Sequence, residues 1–243
     1  KAILQGVRDY NSVSNAICRL INDSDGQTQT LYGFGYGPYL IVNRHLFKRN
    51  NGTLTIHSKH GEFTVQNTTV LRMHPVKDRD VLIVQLPKDF PPFPMRLSFR
   101  HPIIGEKVCM IGANFQQNSI RQTISEPSKT FPKENCNFWC HWIDTQVGQC
   151  GLPLVAISDG SIVGLHSLGK VAEGSNYFSS LPDDFKANYL AKPETLEWVK
   201  QWRYNPDSIA WGSLTLNRMN KDKTFTPLKD VKDLIMEDVI EQG

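Results

Sequence analysis

The sequence has no run of about eighteen apolar residues, the minimum for a helix that crosses a membrane. Its opening stretch, KAILQGVRDYN, holds too short an apolar segment for a secretory signal, and a soluble protein that touches no membrane is expected. Cysteine is scarce: five occur in 243 residues, at Cys18, Cys109, Cys136, Cys140 and Cys150, at scattered spacings that make no disulfide framework. Their odd number leaves at least one free thiol, so a reducing compartment is expected. The sequons at Asn22, Asn51 and Asn67 then read as surface turns, because such acceptors matter only in the secretory route. Charge of one sign is also lacking. With 27 Lys and Arg against 24 Asp and Glu the formal charge is +3, far from the basic stripe of a dedicated nucleic-acid binder, although it permits weak RNA contact. No internal repeat or low-complexity segment is visible.

What is present is an ordinary globular composition, 40% hydrophobic and 21% charged, in a chain long enough for one large or two small cores. From about residue 30 to 180, β-branched and aromatic runs such as LYGFGYGPYLIVNRHLF, GTLTIHSKHGEFTVQ, RDVLIVQLP, KVCMIGANF, FWCHWIDT and PLVAISDGSIVGLHSL are broken by Gly, Asn, Asp and Pro. That pattern predicts antiparallel strands. Helical period appears only afterwards, in DDFKANYLAKPETLEWVKQW, where Pro193 suits a helix start and Leu196, Val199 and Trp202 fall on one face. The proline-dense PKDFPPFPMRL cannot be a central strand and reads as a stiff connector dividing the β region into similar halves. Two packed Greek-key barrels are expected, with one continuous sandwich as the rival.

The chemistry concentrates in DTQVGQCGLPLV, residues 144–155. A thiol attacks a carbonyl only as thiolate, so it needs a base, a group to orient that base, and donors for the developing oxyanion. Gly148 and Gly151 flank Cys150 closely enough for a tight turn that aims amides beside the thiol. The competing reading is a buried packing thiol, which needs no such turn. His45 ends the run GPYLIVNRH, at the junction of a buried strand and an exposed loop, where a base belongs; the competing reading is a surface histidine. Asp80 precedes the apolar run VLIVQLP and can hold an imidazole in one tautomer from the edge of the core. Asp78 is its rival, and a lone Asp before a strand is more often a turn cap. His166, one SDG hairpin beyond Cys150, returns beside the thiol as a second base or a pocket wall. The order His, Asp, Cys, with the first two residues in one half and the third in the other, is that of the chymotrypsin triad; the papain order runs the other way.

The blocks GFGYGPYLIVNRHLFKRNNG, KDRDVLIVQLPKDFPPFP, FWCHWIDTQVGQCGLPLV, DGSIVGLHSL and NYFSSLP together resemble the nuclear inclusion a protease family of potyviruses, chymotrypsin-like cysteine proteases related to picornaviral 3C proteases. The resemblance spans nearly the whole chain. It implies an all-β, chymotrypsin-like double antiparallel β-barrel with short C-terminal helices and an extended C-terminal tail. The divisions expected are a barrel over 1–90, a connector over 91–110, a barrel with a helical segment over 111–218, and a tail over 219–243. It implies His45, Asp80 and Cys150 as the triad, the amides of Gly148, Gln149 and Cys150 as the oxyanion hole, and Thr145 and His166 as receivers of a P1 glutamine amide. Ser167, Leu168, Tyr177 and Trp211 complete the expected substrate site, where a peptide adds as a strand beside LHSL and around Trp211. The family cleaves a viral polyprotein after Gln before a small residue, in the host-cell cytoplasm and nucleus, with no cofactor or metal. Many members read TKDGQCG where this chain has TQVGQCG, so Val147 removes a carboxylate acceptor for the glutamine NH2.

The tail MEDVIEQG reads as a cleavage site, with Gln242 at P1, Gly243 at P1′ and Val239 at P4, able to reach an active site in cis or in trans. Two other classes compete. An RNA-binding module draws on HLFKRNNG and KQWRYN. A metal site at Cys136, Cys140 and His141 lacks a fourth nearby ligand.

Overall fold

The computed structural model describes residues 10–116, 119–170, 175–212, 214 and 239–241. Strand character begins at Ile17, earlier than the pattern of the sequence suggests, and follows a seven-residue helix, α1 (Tyr10–Ala16), that the strand-and-turn reading did not contain. The first sheet is built from β1 (Ile17–Ser24), β2 (Gln27–Tyr36), β3 (Tyr39–Val42), β4 (Thr53–Ser58), β5 (Gly61–Val65), β6 (Met73–Pro75) and β7 (Leu82–Gln85). They pair in the order β5-β4-β1-β2-β3-β7-β6. The second contains β8 (Lys107–Gln116), β9 (Ser119–Ile124), β10 (Ser128–Lys129), β11 (Phe131–Pro132), β12 (Phe138–His141), β13 (Pro153–Ala156), β14 (Ile162–Lys170), β15 (Asn176–Ser180) and β16 (Val239–Glu241). Its path is β10-β8-β13-β14-β15-β12-β11, with β9 on β8 and β16 on β14. All these pairs are antiparallel, so the expected two-unit β architecture is what forms.

The two sheets are packed on each other, not side by side in solvent. One buried cluster runs from Ile17, Phe34, Ile41 and Ile83 of the first to Ile111, Leu154, Val155 and Leu165 of the second. Burial of so much aliphatic surface, at about 25 cal/mol per Å2, is the dominant force joining them. The proline-dense segment forms no strand, and its Phe93 fills the first unit: at Gly35 a Cβ would stand 2.1 Å from the Phe93 ring. The SDG turn closes the β13–β14 hairpin, with Ala156 N–H donating to Ser161 O at 2.9 Å.

The helix expected over residues 193–202 does not form. Pro193 does open a turn, but only the 3-10 turn Pro193–Thr195, preceded by a π-helical turn at Lys186–Leu190. The chain then extends, and Val199 exchanges two backbone hydrogen bonds with Met73 at 2.9 and 2.8 Å. The unsatisfied edge of β6 captures the segment, since an isolated helix of that length is marginal while edge N–H and C=O groups require partners. Trp202 is still buried, in the core of the first unit.

Candidate active site

A 3-10 turn, Arg44–Phe47, follows β3 and is buried throughout. It fixes the base. His45 Nδ1 lies 2.7 Å from Asp80 Oδ2, and the His45 amide donates to Asp80 Oδ1 at 3.2 Å. Both side chains are fully buried, so one carboxylate holds the ring and the backbone of the same residue. Asp78, the rival, sits in the turn before it with a φ of 59°. The neighbouring Arg44 guanidinium is buried as well, donating to Val76 O, Val81 O and Ser208 Oγ, and burial pulls its pKa below the usual arginine range while Asp80 opposes that.

The turn at Cys150 comes from the second sheet and is clamped to the first. Tyr32 N–H of β2 donates to Cys150 O at 2.9 Å, and Gly151 N–H donates to His166 O at 2.9 Å. Gly151 has a φ of +91°, and a Cβ there would lie 1.8 Å from Tyr32 O, so no other residue fits. Gly148 also has positive φ, at +95°. Within the turn Gln149 N–H donates to Gln146 O at 3.2 Å, which leaves that amide engaged locally. Cys150 Sγ lies 3.2 Å from Ser167 O and the residue packs into the core of the first unit. By contrast Cys109 is held in its core by apolar neighbours, and burial pushes its pKa up to about 12. Burial raises Cys18 further still.

Asn43 joins the two halves. Its Nδ2 donates to Ser167 Oγ at 3.1 Å and His166 O at 3.2 Å, which use its two N–H groups, while Asp80 Oδ2 stands at 3.4 Å. Ser167 Oγ in turn bonds Leu165 O and Ser179 Oγ. A bulge in β14 between His166 and Leu168 takes Ser167 out of the ladder and turns its carbonyl toward the thiol. Asn43 went unrecognised in the sequence; its signal was a polar residue closing an apolar strand two positions before the histidine.

The remaining expected residues lie around β14. His166 is fully buried, with Nδ1 3.2 Å from His141 Nε2. In the sequence His141 reads only as a metal ligand, yet both its nitrogens are engaged, since its Nδ1 accepts from Ile143 N–H at 3.2 Å. Leu168, Tyr177 and Trp211 share one buried cluster under the β14 edge, where Trp211 stacks on Phe138 at 5.3 Å. Thr145 is half-buried, and Val147 is 70% exposed at the crest of the turn. Backbone pairing of β16 with β14 sets Leu168 opposite Glu241, Gly169 opposite Ile240 and Lys170 opposite Val239. Gln242 and Gly243 lie outside the described residues. All five cysteines are free thiols, and no cluster of metal-ligating side chains occurs among the described residues.

Peptidase family C4 matches residues 1–232. The genome polyprotein of Turnip mosaic virus (strain Japanese) is 51% identical over 233 residues, 96% of this chain but 7% of the polyprotein, so the chain spans a small part of that relative. Among solved structures, catalytically active tobacco etch virus protease complexed with product is 50% identical with a TM-score of 0.80, covering 84% of this chain and 88% of that one. Tobacco vein mottling virus protease is 52% identical with a TM-score of 0.82, covering 89% and 99%.

Proposed function

The chain belongs to peptidase family C4 and is a cysteine peptidase of the chymotrypsin-like fold, and from that premise we propose that it cuts a viral polyprotein after glutamine, using His45, Asp80 and Cys150. The observation that carries this reading is the buried His45–Asp80 couple at 2.7 Å, joined through Asn43 to the strand that holds the cysteine turn. A structural histidine would need no carboxylate on both its ring and its amide.

In the mechanism, His45 Nε2 takes the proton of the Cys150 thiol while Asp80 accepts from Nδ1–H, which fixes the tautomer and stabilises the imidazolium. The thiolate attacks the carbonyl carbon of P1, and the oxyanion is met by the amides of Gly148 and Cys150; the Gln149 amide, bonded to Gln146 O, is not needed. Collapse breaks the peptide bond, and the imidazolium gives its proton to the leaving amine. Water, deprotonated by His45, then attacks the thioester and releases the acid and the thiol.

Substrate adds as a strand along β14. In a peptide paired as β16 is, the residue after the one opposite Leu168 comes opposite Ser167, whose carbonyl is 3.2 Å from the thiol. P1 therefore arrives beside Cys150, with P2, P3 and P4 opposite Leu168, Gly169 and Lys170. Tyr177 and Trp211 support this edge from beneath, and Thr145 with His166 receives the P1 side chain. The relative from tobacco etch virus was captured with product, which supports peptide occupancy of the equivalent groove. Val239 to Glu241 mimic such a peptide, so the protein's own tail occupies the groove as a product-like segment, in cis or in trans.

The test is cleavage of a peptide spanning EDVIEQ followed by Gly, by the chain as written and by Cys150→Ala. Cutting after Gln that is lost in the variant supports nucleophile and P1 together. Cutting by both, or by neither with any P1 residue, overturns the reading. RNA contact is a second reading, because Asn50 Nδ2 donates to Trp202 O at 2.8 Å and so brings the basic segments around Lys48 and Arg203 together. A salt-sensitive shift on titration with single-stranded RNA, lost in Arg203→Glu, is the expected signature.

A further inference from the structure

His141 lies in β12 with no exposed surface, edge-on to His166 with ring centroids 5.3 Å apart at 70° and beside Phe178 at 6.1 Å. Its Nδ1 faces a backbone N–H, that of Ile143, at 3.2 Å. A backbone N–H can only donate, so His141 Nδ1 must carry the lone pair, and a neutral ring then has its proton on Nε2. That Nε2–H points at His166 Nδ1, 3.2 Å away, which must accept. The proton of neutral His166 is thereby left on Nε2.

We infer that His141 is a positioning residue that holds His166 neutral and in the Nε2–H tautomer, and so sets the choice of glutamine over glutamate at P1. This rests on the reading that His166 receives the P1 side chain. A single Nε2–H donor matches the side-chain carbonyl of glutamine. An imidazolium would instead form a charge-assisted bond to the carboxylate of glutamate and erase the discrimination. Protonating His166 at Nδ1 sets two N–H groups against each other. His141 cannot relieve the conflict by turning its ring, because that forfeits the bond from Ile143.

The surroundings reinforce the arrangement. Burial, and then the neighbouring His166, hold the pKa of His141 well below the usual histidine range. The other titratable groups on the elements packed around the pair are Cys140 on β12, Lys170 on β14, Glu241 on β16, Tyr177 on β15 with Lys133 over its ring, Asp144 and Cys150 on the nucleophile turn, and the His45–Asp80 couple. No carboxylate among the described residues lies within ion-pair distance of His141.

The experiment compares kcat/KM for otherwise identical P1-Gln and P1-Glu peptides at about pH 5.5 and about pH 7.5, either side of the ordinary histidine pKa. It uses the chain as written, His141→Phe, which keeps the ring volume, and His141→Gln, whose NH2 can still donate to His166. The unaltered protein should hold its Gln/Glu ratio within about twofold, while in His141→Phe the ratio falls about tenfold or more on acidification, mainly through KM of the glutamate peptide. His141→Gln should restore the flat ratio. A pH-independent ratio in folded His141→Phe overturns the inference. Ring 15N NMR of the unaltered protein, with signals assigned from His141→Gln and His166→Gln, decides it even if the Phe variant does not fold. Both rings should be Nε2–H and stay so between about pH 5.5 and about pH 7.5, and a titrating or Nδ1–H His166 refutes the relay. If the unaltered protein shows no P1 preference at either pH, the P1 reading fails, while the NMR still tests the tautomer.

Discussion

Asp80 gives one oxygen to the His45 ring and the other to the His45 amide, so replacing it separates two roles that look alike. In Asp80→Asn the shape survives but the side-chain NH2 can direct the imidazole into the wrong tautomer. We expect kcat/KM to fall about 10^3- to 10^4-fold with little change in melting temperature, read with a fluorogenic peptide and by thermal unfolding. Gly151 answers to geometry instead of chemistry. A methyl group there collides with Tyr32 O, and the alanine backbone would have to hold a φ of +91°, so Gly151→Ala should lose about 2 kcal/mol or more in urea unfolding together with most activity. An unchanged midpoint would mean that the turn does not dock on β2 as drawn. The turn around Cys150 could be read beforehand because its glycines advertise positive φ, a local property. His141 could not be assigned its role, because a histidine in an apolar strand looks the same whether its neighbour is a leucine or a second imidazole.

At the scale of elements, the edge of β14 is the proposed place of peptide recognition. Its residues 168–170 pair with residues 239–241 of the same chain in the register proposed for P4 to P2 of a substrate. A tethered segment competes at an effective concentration in the millimolar range. A chain ended after Leu214 should therefore show a severalfold lower KM for peptide substrate at unchanged kcat, and an unchanged KM would show that the pairing is not populated during turnover. The region around residue 199 carries the opposite lesson. Leu196, Val199 and Trp202 have helical spacing, yet Val199 pairs with Met73. Periodicity reports which residues seek burial, and an unpaired strand edge can satisfy that demand with extended chain.

For the whole molecule, acid sensitivity follows from the buried His141. Its folded pKa is depressed, so below the unfolded value of about 6.5 the unfolded state binds the proton that the folded state refuses. Stability contributed by the neutral ring is fully present above that value and is lost as pH falls toward the folded pKa, with a limiting slope of about 1.4 kcal/mol per pH unit for one such group. Melting temperature should drop between about pH 7 and about pH 5, and His141→Gln should flatten that dependence; equal slopes would assign the acid sensitivity to other groups. The sequence by itself determined the β class, the hairpin at SDG, the lack of a strand in the proline-dense segment and the order of His45, Asp80 and Cys150, because turn chemistry and alternating burial are written over a few neighbouring residues. Only the tertiary structure decided that Asn43 spans the two units, that Tyr32 holds the cysteine turn, and that His141 faces His166. Each of these depends on which surfaces of two sheets come to face each other, a choice made by packing of the shared core and by the pairing of buried polar groups far apart in the chain.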